Sequence, residues 1–294
     1  MKMKAEVNSM EQQKWTTVVK SDSGINMDLK GLKNCRDLIL LFVRRTFVAK
    51  YKQTVLGPAW AVIQPFFTTV VYSVFFGNIA GLGASGVPNF IFYLSGTIVW
   101  TLFANCLNET SHTFTGNAGI LGKVYFPRLV MPISTAVSQF IGFFIQFTFM
   151  LIFMVYYLIT DAGLKPNIYI LMFPLVLIQL AILGMGFGMI ISALTTKYRD
   201  LAMVVGFGVS LWSYCSPVAY DMFSRSQLAP GSTFYSIYML NPVTPAINIF
   251  RYGFLGSGDV DWLFYGISWV TTAVVAVIGA LMFSKSEKTF MDTV

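Results

Sequence analysis

Arg44, Arg45, Lys50 and Lys52 crowd the first half of "RRTFVAKYKQTVLGPAWAVIQP". After Lys52 no charged residue appears until Glu109. Guanidinium groups grip phosphate through paired hydrogen bonds, whereas an ammonium acts as a point charge. Cations beside an apolar run also anchor a chain to anionic headgroups, their stems lying along apolar surface. Both roles stay open for these four. Chemistry elsewhere is sparse. His112 is the only histidine, which excludes a histidine-based metal site or triad within one chain. Cys35, Cys106 and Cys215 form no CxxC pair, so neither a zinc site nor a disulfide framework is indicated. "GILGKV" (Gly119–Val124) lacks the GxxxxGK[ST] spacing of a phosphate-binding loop, and Val124 stands where the magnesium-binding hydroxyl belongs.

The elements that position the cations are membrane elements. The 294 residues are 55% hydrophobic and only 11% charged, with mean hydropathy +0.66. Soluble domains carry about 25% charged residues. The expected class is an all-α integral membrane protein. The net charge of +7 does not point to nucleic acid, because the basic residues sit beside apolar runs. Met1–Lys33 is polar and lacks the apolar core of a signal peptide. Residues 1–34 are expected to be a flexible cytoplasmic terminus.

Runs free of Asp, Glu, Lys and Arg cover 53–108, 129–160, 166–196, 201–220, 226–250 and 262–284. A helix needs about 20 apolar residues to cross the hydrocarbon core. The first run holds two spans around a turn, "GNIAGLGASGVPN" (Gly77–Asn89). Six spans are predicted: Pro58–Phe76, Phe90–Leu107, Val130–Ile159, Ile168–Leu194, Leu201–Tyr220 and Trp262–Phe283, together filling residues 58–284. The run at 226–250 holds Pro230, Pro242 and Pro245, which would break a spanning helix. It is expected to form short re-entrant or interfacial helices within a region of about 221–258. Ten Lys and Arg flank one side of these spans and three the other, so both termini, including a tail at 285–294, are expected in the cytoplasm.

The spans are almost free of ionisable side chains, which argues against a proton-coupled carrier. A backbone-based sodium site stays open. "DVD" (Asp259–Asp261) is similar to the paired aspartates of sugar-nucleotide transferases, but it lies in a short loop with no nucleotide domain around it. A pump of this kind must draw its energy from another chain.

Four segments carry a resemblance: "RDLILLFVRRTFVAKYKQTVLGPAWAVIQP", "NAGILGKVYFPRLVMP", "LTTKYRDL" and "NPVTPAINIFRYGFLG". With the six-span layout they resemble the membrane subunit of type-2 ABC exporters for bacterial surface polysaccharides. The O-antigen exporters are nearest, with teichoic acid and capsule exporters as relatives. The resemblance covers roughly residues 35–290. It implies a homodimer in the bacterial inner membrane, working with two copies of a cytoplasmic ATPase. ATP and magnesium belong to that partner, and no cofactor is expected on this chain. The implied substrate is a glycan linked to undecaprenyl diphosphate.

Residues 35–57 are expected to form an interfacial helix at the cytoplasmic surface, ended by Leu56-Gly57. The resemblance puts this helix beside the portal for the lipid-linked substrate, with Arg44, Arg45, Lys50 and Lys52 as contacts for its diphosphate. A loop at about 115–128 holds a short helix from Asn117 to about Tyr125. It would present Ile120, Leu121 and Tyr125 beside Lys123, where the resemblance places the helix that docks on the ATPase. Lys197 and Arg199 in "TTKYRD" are a second, smaller contact or simple charge anchors. Aromatic faces stack on sugar rings, which makes Trp60, Tyr93, Trp100, Phe143 and Phe147 candidates to line a channel. Core packing, lipid contact and, for Trp100, Trp212 and Trp269, interfacial belts compete with that role. Gln64, Asn105, Asn108, Gln139 and Gln146 are polar at membrane depth, facing a channel or bridging helices. Asn241, Pro242, Pro245, Arg251 and Tyr252 are expected at an extracytoplasmic gate. Gly184, Gly186 and Gly188 give a GxxxG spacing, which serves a dimer seam or packing within one chain. Two other readings remain: an ABC exporter of another lipid or a drug, and a membrane glycosyltransferase or flippase acting alone.

Overall fold

A computed structural model describes residues 35–52, 54–84, 86–121, 126–127, 129–196, 198, 200–223 and 232–291. Among these the fold is all-helical. Helix α1 is Arg36–Tyr51, and a 3₁₀ turn at Gly57–Ala59 leads into α2, Trp60–Tyr72. A π-helical segment, Ser73–Ile79, extends α2. Then follow α3 (Asn89–Ser111), α4 (Thr113–Leu121), α5 (Val130–Ile159) and a 3₁₀ turn at Ile168–Met172. The chain ends with α6 (Phe173–Thr195), α7 (Leu201–Tyr214), α8 (Thr233–Met239), α9 (Val243–Leu255) and α10 (Trp262–Met291).

Among the described residues five helical segments are long and apolar enough to cross a membrane: Gly57–Ile79, Asn89–Ser111, Val130–Ile159, Ile168–Thr195 and Trp262–Ser286. The fifth expected span, Leu201–Tyr220, is shorter than predicted. Helix α7 stops at Tyr214 rather than Tyr220. At 1.5 Å per residue its 14 residues reach only about 21 Å. Pro217 has no N–H to continue the ladder, and residues 215–218 turn instead.

Other boundaries moved for equally local reasons. Helix α1 was expected to run to Val55 and stops at Tyr51, where the Thr54 hydroxyl donates to the Tyr51 carbonyl at 3.0 Å. Helix α10 passes Phe283, its expected end, because nothing between Ala280 and Met291 is Gly or Pro. The expected tail at 285–294 is therefore helical as far as Met291. The proline-rich run does form two short helices, α8 and α9. Pro245 sits in the first turn of α9, where a missing N–H costs no ladder bond.

The core is organised around α3, which packs on α6, α5 and α9. Helix α6 lies between α3 and α10. Glycines permit this. A Cβ on Gly184 would lie 2.7 Å from the Phe103 carbonyl, and one on Gly279 of α10 would lie 2.5 Å from that of Gly186. The GxxxG spacing thus serves packing within one chain. At the end bearing α1, Phe114 of α4 stacks on Phe283 of α10 at 4.3 Å. Phe42 of α1 meets Phe126 in the same cluster. The two ends of the described chain therefore lie on one side.

Candidate functional site

Helices α1, α2, α3, α5 and α7 enclose a cavity of about 680 Å³. Its wall is polar where the spans themselves are apolar. On α3, Thr97, Thr101, Asn105 and Asn108 lie on one helical stripe facing it. From Thr97 to Asn108 that stripe runs about 16 Å along the helix axis. Ser138, Gln139 and Gln146 of α5 face it with Gly142 between them. Gln64 and Thr68 come from α2, and Ser210 and Ser213 from α7. All five amides noted at membrane depth thus converge on one space.

The amides are held unequally. Gln139 Nε2 donates to Ser138 Oγ at 3.1 Å and to the Thr135 carbonyl at 3.3 Å. Gln146 is buried, and its Oε1 has no hydrogen-bond partner. Such an orphan costs about 1–3 kcal/mol. Aromatic faces frame the polar wall: Trp60 and Tyr72 of α2, Trp100 of α3 and Tyr214 of α7.

At the α1 end the cavity meets Thr46, Phe47, Lys50, Tyr51 and Thr54. Burial raises the Tyr51 phenol above its ordinary pKa. Of the four cations, only Lys50 reaches the cavity. Arg44, Arg45 and Lys52 are exposed on α1 or just after it and do not line the space. Leu56 is exposed, and Gly57 has φ +51°, a left-handed backbone that turns the chain from α1 into α2.

Three of the expected channel residues do not line this cavity. Tyr93 is fully buried, and its ring packs against Phe92 and Tyr72. Phe143 is buried in a stack with Phe147 and Phe173. Phe147, in turn, contacts Phe250 and Phe254 of α9. All three aromatics hold the inside of one chain together, and none lines the cavity. Trp60 and Trp100 do line it.

Beyond the cavity, the break after α7 releases carbonyls that hydrocarbon cannot satisfy. Side chains take them. Buried Arg251 donates through Nη2 to the Val218 carbonyl at 2.9 Å and through Nη1 to that of Pro217. Its guanidinium lies 3.8 Å from the centre of the Phe92 ring. Asn241 Nδ2 donates to the Cys215 carbonyl at 3.0 Å and to Ser216 Oγ at 2.9 Å. Asn241 Oδ1 accepts from Trp212 Nε1 at 3.2 Å. Tyr238 donates to the Tyr214 carbonyl at 3.3 Å. Pro242 opens α9, and its carbonyl accepts from Ser268 of α10 at 2.6 Å. Tyr252 packs on Tyr169 at 5.1 Å. Of the expected gate residues, Asn241 and Arg251 cap the end of α7 and the turn after it, Pro242 ties α9 to α10, and Tyr252 packs on Tyr169.

The expected docking helix starts earlier than predicted, at Thr113. Asn117 sits at a kink inside it (φ −122°, ψ 15°), its Nδ2 donating to the Thr113 carbonyl at 3.1 Å. Ile120 and Leu121 belong to the last turn of α4. Lys123, Tyr125, Lys197 and Arg199 lie outside the described residues, as do residues 1–34 and Pro230.

The result is a multi-pass helical bundle with a polar, charge-poor cavity beside a basic helix. Residues 37–255 match the sequence model of the ABC-2 type transporter family, and the chain belongs to that family. It is similar to two O-antigen export system permease proteins RfbA from Klebsiella pneumoniae, at 27% and 26% identity. Each alignment spans 258 residues, 87% of this chain and 94% of the relative. A third relative, the O-antigen export system permease protein RfbA of Myxococcus xanthus, is 25% identical over 76% of this chain and 82% of its own length. This chain is the permease subunit of an ABC-2 type exporter.

Proposed function

We propose that this chain forms half of a channel through which a separate ATPase exports a glycan linked to undecaprenyl diphosphate. Two copies of the chain and two of the ATPase make the working complex, in the bacterial inner membrane. The α1 end faces the cytoplasm, in keeping with the excess of Lys and Arg around it. Helix α7, with the turn at 215–218, completes a sixth crossing. The reading rests chiefly on one observation: amides and hydroxyls from four apolar helices converge on a cavity framed by aromatic faces. Sugar hydroxyls exchange hydrogen bonds with such groups, and sugar rings stack on aromatic faces. A channel for an apolar lipid or drug would gain nothing from them.

The mechanism follows the charges. Arg44, Arg45 and Lys52, exposed on and beside α1, meet the diphosphate at headgroup level. Lys50, on the same helix and on the cavity wall, receives it at the mouth. The left-handed backbone at Gly57 lets α1 shift against α2 as the polymer enters. Asn117, Ile120 and Leu121 of α4, with Lys123, Tyr125, Lys197 and Arg199, take up the ATPase's movement. Asn241, Pro242, Pro245, Arg251 and Tyr252 hold the far end.

The test is export in cells lacking the native gene and supplied with this chain and its ATPase. Replacing Arg44 and Arg45 together by Gln should lower surface glycan at least fivefold at equal protein level, while basal ATP hydrolysis persists. Normal export by this double variant would reduce the arginines to membrane anchors. Export by the native chain without any ATPase would overturn the reading as a whole.

A further inference from the structure

The cavity wall carries information about what passes it. Its described lining holds five amides, a set of hydroxyls and several aromatic rings, with no carboxylate. The single charged group on it is Lys50, at the α1 end. We infer that the exported glycan is electrically neutral: a polymer of uncharged sugars rather than of uronic acids or phosphodiester-linked units. The inference rests on the export reading above and narrows its substrate.

The physical reason is the cost of charge in a low-dielectric wall. Each anionic repeat passing Asn105, Gln139 and Gln146 would give up water and find no counter-charge. A neutral sugar gives up hydrogen bonds to water and regains them from amides, which donate and accept at once. Charge is placed only where the substrate's own charge arrives. The diphosphate meets Lys50 at the mouth, and the repeats that follow it past Lys50 meet no further charge among the described lining. A second copy of the chain repeats this lining and adds no new charge type. Gln146 supports the same view. A buried amide with an orphan oxygen is worse for stability than a leucine of similar size. On the wall, that oxygen is placed to accept from a sugar hydroxyl.

The experiment compares two lipid-linked polymers in cells carrying this chain and its ATPase. One is a neutral hexose polymer. The other has a uronic acid in place of one hexose per repeat. Surface and intracellular glycan are measured separately. The neutral polymer should reach the surface and the acidic one should fall at least tenfold behind it. Gln64 of α2 lines the cavity, so Gln64→Arg adds a cation to the wall itself. That variant should raise the ratio of acidic to neutral export several-fold. Gln146→Leu should lower neutral export several-fold with the chain's level unchanged. Equal export of both polymers by the native chain would overturn neutrality and leave the export reading intact. Retention of the acidic polymer with no response to Gln64→Arg would overturn the role of the lining. Normal neutral export by Gln146→Leu would overturn the part assigned to that amide. If neither polymer surfaces, the export reading fails and the inference falls with it.

Discussion

The first two spans are equal in length and similarly apolar, yet they live differently. Gly57–Ile79 and Asn89–Ser111 have 23 residues each. Only 11% of the first is buried inside the protomer in its most apolar stretch, against 83% of the second. Hydropathy therefore says that both cross and says nothing about what each faces. The difference lies in their neighbours. Helix α3 is gripped by the glycine face of α6, where backbone approaches backbone. Helix α2 meets no such face, carries Pro65 in its interior and ends in a π-helical stretch. One side of the protomer is a buried scaffold made by α3, α6 and α10. The other, α2 with α7, is a wall beside the cavity, largely exposed on the single protomer.

The sharpest way to break this contrast is to thicken a glycine on each side. A Cβ on Gly188 of α6 would fall 2.8 Å from the Leu107 carbonyl and 2.5 Å from Thr110 Cβ. Backbone cannot give way there, and overpacking a well-packed core costs about 1–3 kcal/mol or more. Gly206 of α7 meets nothing within 4 Å. Gly188→Val should cut the yield of monodisperse protein in detergent at least tenfold, and Gly206→Val less than twofold. Equal losses would mean that α7 is as tightly partnered in the assembly as α6 is within the chain.

A second test addresses what ties the exposed wall down. Arg251 supplies two of the caps at the break after α7. Arg251→Met keeps bulk and leaves the Pro217 and Val218 carbonyls unpaired, at about 1–3 kcal/mol each. The apparent Tm of the purified chain should fall by several degrees, and Arg251→Lys, which keeps one donor group, should recover part of it. An unchanged Tm for Arg251→Met would show that the cap holds nothing.

These two sides were unequally legible in the sequence. Charge-free runs marked the crossings, because a charge at membrane depth is too costly to occur by accident. Val130–Ile159 came out as expected to the residue. The amides were visible for the same reason, and the spacing of Thr97, Thr101, Asn105 and Asn108 already drew a stripe. Tyr51, Tyr72 and Ser213 were missed as lining, since Tyr and Ser are ordinary in membrane helices. Tyr93, Phe143 and Phe147 lie off this cavity, because an aromatic's identity does not tell core from channel. The cap at Arg251 was hidden more deeply. It joins Pro217 and Val218 to a residue over thirty positions away, and only folding brings a released carbonyl to its donor. Pro217 was the one local hint that α7 would stop early.

The smallest expected effect lies at the joint between the two regions. Gly57 adopts φ +51° with nothing within 4 Å of where a Cβ would stand. Alanine there meets no steric obstacle and pays only the left-handed backbone penalty, about 1–2 kcal/mol. Relief comes by returning the residue to a right-handed conformation, which would swing α1 away from α5. Gly57→Ala should therefore leave yield unchanged, in contrast to Gly188→Val, and lower Tm by no more than a few degrees. Its signature should be local: faster tryptic cleavage at the exposed Lys52, by about two- to threefold, with export reduced by a similar factor. Faster cleavage with normal export would make the joint a structural turn only. Unchanged cleavage would show that α1 is held by its packing on α5 through Phe42 and Val43, and that the scaffold extends further towards the substrate than the burial of α2 implies.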